Sequence, residues 1–129
     1  MESNPQPASN AMFWAGWIMS VLPALAFLMS GVMKFVKPGD MVQQSAAIGW
    51  DEHLLVPLGV VEIASTLIYL FPKTAVLGAI LLTGYCGGAI ATHVRLDQPF
   101  YGALILGILV WGGLYLRDPR VRALIPLKS

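Results

Sequence analysis

Four long apolar runs dominate the chain and restrict it to one class of fold. They cover residues 13–33, 54–71, 74–93 and 100–116, and Glu62 is their only Asp, Glu, Lys or Arg side chain. A transmembrane helix needs about 20 mostly apolar residues, with about 17 as the lower limit. The chain is only 12% charged, about half the fraction typical of a soluble domain. We therefore predict an all-α integral membrane four-helix bundle, which excludes soluble enzyme folds and nucleic-acid binding.

All but one of the connections between these runs are short. The connections at 72–73 and 97–99 leave room only for tight turns, so the helices on either side of each should be antiparallel neighbours. Residues 40–50 form the one longer connection, and their mixed apolar and polar composition, with Trp50 as an anchor, fits a short interfacial helix. An irregular loop fits equally well. We expect one bundle over residues 13–116, a disordered cytoplasmic tail over 1–12 and a basic cytoplasmic tail over 117–129.

The basic residues are distributed unevenly between the two ends of such a bundle. Four spans place both termini and the 72–73 turn on one side, with the basic residues Lys73, Arg117, Arg120, Arg122 and Lys128. The opposite side carries Lys34, Lys37 and Arg95. The positive-inside rule then predicts a multi-pass protein of the inner (cytoplasmic) membrane with both termini in the cytoplasm.

Glu62 is the candidate catalytic residue. It lies eight positions into the second run, about 12 Å below the outer end of a helix and so near the middle of the bilayer. A carboxylate at that depth costs about 2.5–3.5 kcal/mol on insertion scales, so it should face the bundle and be protonated or paired. A proton carrier, a counter-ion and a ligand anchor are the functional hypotheses. A hydrogen-bonded tie between helices is the structural alternative.

Four further residues are candidate ligand-binding groups because the topology places them on the same side as Glu62 or at its depth. Lys34 ends the first span, and His93 and Arg95 end the third. The long side chains of Lys34 and Arg95 could reach inward to Glu62, or could extend outward to lipid headgroups. Tyr85 is level with Glu62 and could offer its hydroxyl there or fill the core.

The sequence does not favour a metal or haem site. His53 and His93 lie at the outer ends of their helices rather than within the spans, which disfavours a haem held by two histidines. We predict no metal site, because no HExxH or CxxC spacing is present. The single cysteine, Cys86, excludes both an intrachain disulfide and a dithiol redox pair.

Small residues recur at helical spacing in the third and fourth runs. Gly84, Gly88 and Thr92 lie on one face of the third run, and the fourth contains Gly107, Gly112 and Gly113. Such faces let helices approach closely in lipid. Packing within the bundle is the favoured explanation, and a groove for a flat ligand or a partner helix is the alternative.

Several segments together resemble the DoxX-like family. They are Lys34-Phe35, GVVE at 59–62, GGAIATHVR at 87–95, YLRDP at 115–119 and LIP at 124–126. The resemblance implies a four-helix membrane bundle. Members of this family include a membrane subunit associated with thiosulfate:quinone oxidoreductase and proteins linked to membrane redox complexes and oxidative-stress defence. The matched polar positions are Lys34, Glu62, His93 and Arg95.

Three functional hypotheses follow. The first is a quinone-linked membrane subunit or accessory component of a redox system, with a bound quinone as cofactor and electrons from a partner redox protein. The second is a non-catalytic membrane scaffold or assembly factor that docks another protein on its glycine faces. The third is a lipid- or small-molecule-binding protein, a carrier or an isomerase. Membrane lipid is an expected partner in each, and self-association into a homo-oligomer is compatible with all three.

Overall fold

A computed structural model describes residues 10–124, and this part of the chain is helical with short connections and contains no strand. The α-helices are α1 (Asn10–Val36), α2 (Met41–Ala47), α3 (Glu52–Leu70), α4 (Ala75–Arg95), α5 (Tyr101–Arg117) and α6 (Pro119–Leu124), with a 3₁₀ turn at Pro72–Thr74. The predicted all-α class is confirmed. The six α-helices differ from the simple count of four spans and one short helix, because residues after Arg117 form α6.

The four longest helices pack in a ring. α1 packs against α3 and α5, and α4 packs against the same two helices from the other side. Buried apolar side chains between them include Phe27, Leu82, Val110 and Leu114. The outward faces are equally apolar, with side chains such as Trp14, Met29 and Ile108 exposed. Apolar side chains both inside and outside are the distribution expected of helices surrounded by lipid.

Length and composition identify three helical stretches that can cross a membrane: Asn10–Val36, Glu52–Leu70 and Pro72–Arg95. The fourth apolar helix, Tyr101–Arg117, has 17 residues, at the lower limit for a span. The prediction of a helical membrane protein therefore holds. The fourth span stays a prediction.

The segment between α1 and α3 contains a helix, and this decides between the two structures that its sequence allowed. Lys37 and Gly39 have positive φ angles of 55° and 59°, and this backbone conformation ends α1 before α2 begins at Met41. Gly49, with φ of 98°, then turns the chain toward α3. A residue without a Cβ adopts this conformation readily.

The chain ends differ in part from the predicted tails. α1 begins at Asn10, so residues 10–12 belong to a helix, while the rest of the predicted N-terminal tail lies outside the described residues. In the predicted basic tail, Arg117 is a buried residue of α5 and Pro119–Leu124 form α6. Residues 125–129 lie outside the described part.

Glycines close several of the helix contacts and leave another region open. A Cβ on Gly113 of α5 would lie 2.8 Å from the backbone nitrogen of Ser20 in α1, and a Cβ on Gly78 of α4 would overlap the backbone of Tyr69 in α3. In contrast, a Cβ on Gly84 or Gly88 would meet nothing within 4 Å. The explanation by packing within the bundle is therefore right for Gly113 and wrong for Gly84 and Gly88, which line a cavity.

Candidate functional site

The Glu62 carboxylate is the centre of a buried polar group between three helices. Glu62 lies on the inward face of α3 and is only 1% exposed. Its Oε1 atom accepts hydrogen bonds from Lys34 Nζ at 2.9 Å, Tyr85 OH at 3.1 Å and Ser30 Oγ at 3.2 Å. We call these four residues the acid cluster. Among the described residues, all donors to this carboxylate converge on Oε1, so Oε2 is left as the acceptor for a further donor.

Lys34 provides the positive charge of the acid cluster. Its side chain is 13% exposed, and its Nζ also donates to Ser30 Oγ at 2.9 Å. Ser30 and Lys34 are one helical turn apart on α1, so both side chains reach Glu62 from the same face. Lys34 Nζ lies 5.9 Å from the centre of the Tyr85 ring, close enough for a cation–π attraction. The ion pair is therefore supported from both α1 and α4.

The acid cluster forms part of the wall of a cavity of about 580 Å³. This volume lies within the range of about 300–1,000 Å³ that is usual for small-molecule sites. The wall is predominantly apolar, and its polar side chains are few. Its residues include Phe27, Ser30 and Lys34 of α1, Met41, Ser45, Ile48 and Trp50 of the α2 segment, Leu55, Leu58 and Glu62 of α3, Gly84, Tyr85, Cys86, Gly88, Thr92 and His93 of α4, and Ala103 and Leu106 of α5.

His93 lines the same cavity, one helical turn beyond Ala89. Its Nδ1 atom lies 2.6 Å from the Ala89 backbone carbonyl oxygen. A carbonyl oxygen only accepts, so Nδ1 is the donor in this hydrogen bond. The local helix backbone thus orients the His93 ring and leaves Nε2 for a second partner.

Arg95 is not in the acid cluster and does not line the cavity. Its Nη2 atom donates to the Ile48 backbone carbonyl oxygen at 3.1 Å, just after the end of α2. Of the two cations that could have reached Glu62, the structure brings only Lys34 to it. Arg95 instead ties the end of α4 to the α2 segment, which forms one side of the cavity.

Sequence reasoning missed Ser30 and the part played by α2. A serine within a helix commonly bonds its own helix backbone, as Ser20 does with the Gly16 carbonyl oxygen at 2.8 Å, whereas Ser30 bonds Glu62. The four-residue spacing of Ser30 and Lys34 was a usable signal, because it places two polar groups on one face of α1. No local signal indicates that Met41, Ser45 and Ile48 line a cavity, because that depends on how α2 folds back against α3.

Within residues 10–124, no group of three or more His, Cys, Asp or Glu side chains is arranged to hold a metal ion. His53 is exposed at the start of α3 and is not among the residues of the cavity wall. Cys86 is a free, buried cysteine in that wall.

The fold and the site together define a helical membrane protein with a buried, ion-paired carboxylate beside an apolar cavity. The family model described as the DoxX-like family matches residues 18–113, which include the whole acid cluster. The chain belongs to the DoxX-like family. Comparisons with curated proteins and with solved structures gave no match.

Proposed function

We propose that this protein binds a quinone-class molecule in the cavity beside Glu62 and acts as a membrane subunit or accessory component of a redox system. The observation that carries the proposal is a carboxylate, paired with a lysine, in the wall of a cavity that is otherwise mostly apolar. A quinone combines an apolar body with carbonyl oxygens that accept hydrogen bonds. The cavity offers both an apolar wall and buried donors and acceptors.

The residues have distinct roles in this proposal. Lys34 has a spare N–H donor for a carbonyl oxygen of the ligand, the Tyr85 hydroxyl positions the Glu62 carboxylate to which it donates, and Glu62 holds or accepts a proton. His93, with Nδ1 bonded to the Ala89 carbonyl oxygen, presents Nε2 as a second polar contact. A bound quinone would supply two-electron, two-proton chemistry. The electrons come from a partner redox protein, since Cys86 cannot form a dithiol pair within the chain.

The proposal also covers the membrane in which the protein lies and the side on which its termini lie. Four spans in the inner membrane with both termini in the cytoplasm agree with the basic side chains near the chain ends. The acid cluster then faces the outer leaflet, and α2 with Trp50 covers the cavity from that side.

The test is a direct binding measurement with a short-chain ubiquinone analogue on the purified protein in lipid nanodiscs. Glu62→Gln should weaken binding about tenfold or more, because it removes the partner that positions Lys34, and a buried charge-assisted contact from Lys34 to the ligand is worth about 1.5–3 kcal/mol. Tyr85→Phe should weaken binding less, because it removes one neutral donor to Glu62 and leaves the ion pair with Lys34 in place. Tyr101→Phe is the matched control, since Tyr101 is 62% exposed and lies outside the cavity wall.

Unchanged affinity in Glu62→Gln would remove this carboxylate from ligand binding and leave the cavity without its proposed role. A second candidate, a carrier or isomerase for another amphipathic molecule, is favoured by the open apolar surface at Gly84 and Gly88. Native mass spectrometry of the protein extracted gently from its own membrane separates the two, because it identifies the retained molecule by mass.

A further inference from the structure

A second buried charge lies at the opposite end of the bundle, where α1 and α4 begin and α3 and α5 end. Arg117, the last residue of α5, is only 8% exposed. The central carbon of its guanidinium lies 4.1 Å from the Trp17 ring centre and 4.9 Å from the Tyr69 ring centre. We call Trp17, Tyr69 and Arg117 the arginine cluster. The two rings hold the planar guanidinium in one orientation.

The positive charge of Arg117 has no carboxylate partner within the described residues. The ion pairs there are Lys34 with Glu62 and Lys37 with Glu52. Nη2 of Arg117 donates to the Tyr69 backbone carbonyl oxygen at 3.2 Å, at the end of α3. Its Nε atom is buried and has no hydrogen-bond acceptor in residues 10–124. A buried cation without a counter-ion is strongly unfavourable, so an anion is expected beside it.

A second cavity, of about 330 Å³, adjoins this guanidinium. Phe13, Trp17 and Pro72 form apolar parts of its wall, and Arg117 and Asp118 are its charged residues. Asp118 does not pair with Arg117. Its Oδ1 atom accepts instead from the Arg120 backbone N–H at 2.9 Å. The cavity therefore combines an apolar wall with a buried cation that no carboxylate of residues 10–124 pairs with.

We propose that this second cavity binds a phosphate group of an anionic amphipathic molecule, and that the Arg117 guanidinium donates hydrogen bonds to that phosphate. Arginine is the side chain best matched to phosphate oxygens, because its guanidinium offers several N–H donors in one plane. The cavity lies at the helix ends, the level at which the headgroups of a bilayer meet an embedded bundle. Lys73 and Arg120, both exposed at this end, add positive charge around it. This inference does not depend on the ligand of the Glu62 cavity.

The test is a competition between lipids for the full-length protein in detergent micelles, in which native mass spectrometry identifies the molecule that stays bound. The probes are phosphatidylglycerol, a diacylglycerol with the same acyl chains and no phosphate, and inorganic phosphate. The wild-type protein should retain one phosphatidylglycerol in preference to diacylglycerol by about tenfold or more, the scale of one charge-assisted contact. Displacement of that lipid by inorganic phosphate would identify a soluble phosphate compound as the alternative source of the same group.

Arg117→Gln should abolish the preference, while Arg120→Gln, which removes the same charge from an exposed position nearby, should leave it within about twofold. Asp118→Asn should strengthen retention, because it removes a negative charge from the cavity wall. Should Arg117→Gln fail to fold, the preference of the wild-type protein for phosphatidylglycerol over diacylglycerol decides whether the proposal holds. Equal retention of phosphatidylglycerol and diacylglycerol by the wild-type protein, or equal loss in Arg117→Gln and Arg120→Gln, overturns the proposal.

Discussion

The acid cluster and the arginine cluster are two buried polar groups in one bundle, and they balance their charge in opposite ways. In the acid cluster, Glu62 and Lys34 neutralise each other at 2.9 Å. In the arginine cluster, Arg117 is held by two aromatic faces and one backbone carbonyl oxygen, and no carboxylate of residues 10–124 pairs with it. The first group is balanced in charge and borders a large cavity. The second has an unpaired positive charge within the described part of the chain, which points to an external anion.

The surroundings of the two groups differ as much as their charges. Near the arginine cluster, a Cβ added to Gly16 would lie 2.7 Å from the Arg117 backbone nitrogen, so α1 and α5 touch directly. Near the acid cluster, Gly84 and Gly88 face open space. Gly59 nevertheless brings α1 and α3 together beside the acid cluster, because a Cβ there would lie 3.0 Å from the Gly31 carbonyl oxygen. The open space at this end is therefore on the α4 side of the cavity.

The largest expected effect tests the charge balance of the acid cluster. Glu62→Leu should lower the free energy of unfolding by about 3–5 kcal/mol, because it leaves Lys34 without its buried partner. The double variant Lys34→Met with Glu62→Leu should recover most of that loss, since no unpaired charge remains. Unfolding in mixed detergent micelles measures both. A double variant as unstable as Glu62→Leu would show that the pair is not balanced as described.

The second effect tests the close packing beside the arginine cluster. Gly113→Val should destabilise the protein by about 1–3 kcal/mol or more, because its side chain meets the Ser20 and Gly16 backbones, which cannot move aside easily. Gly84→Ala is the control and should be neutral or slightly stabilising. The melting temperatures of the two variants give the comparison. Equal destabilisation would mean that the two ends of the bundle are not packed differently.

A smaller effect is expected from the hydroxyl of Tyr69 in the arginine cluster. Tyr69 is fully buried, and its hydroxyl lies 2.6 Å from the Val110 carbonyl oxygen and 2.9 Å from Ser20 Oγ. Tyr69→Phe keeps the ring beneath Arg117 and should lower the free energy of unfolding by about 1 kcal/mol. Lipid retention should stay unchanged. A loss of phosphatidylglycerol in this variant would assign the hydroxyl, rather than Arg117, to the anion.

The smallest effect concerns the cover of the large cavity. Arg95→Gln removes the hydrogen bond to the Ile48 carbonyl oxygen and should lower global stability by less than about 1 kcal/mol, because the bond is solvent-exposed. Amide hydrogen exchange in α2 should nevertheless become faster, while exchange in α4 stays the same. Lys73→Gln, an exposed change at the other end, is the control. Unaltered exchange in α2 would show that Arg95 does not hold this segment.

Much of the site could be foreseen residue by residue, and the failures have a common cause. Glu62 was identifiable as an isolated acid in an apolar run, and Tyr85 as a group at the same depth, because helical rise converts sequence position into height. The position of a residue along the bundle axis does not predict which side chains face each other. Lys34 and Arg95 were equivalent by position along the axis, and only Lys34 pairs with Glu62. Arg117 was counted as a tail residue, since nothing in its local sequence signals that it is buried.

The sequence by itself determined the helical architecture and the family. In lipid, each backbone polar group must be satisfied within its own segment, so long apolar runs become helices whatever their neighbours are. The tertiary structure alone decided how the helices rotate and how closely they approach. That rotation brings Ser30 and Lys34 to Glu62, directs Arg95 to α2 and places Arg117 between Trp17 and Tyr69. These are contacts between different helices, and they depend on the packing of the whole bundle.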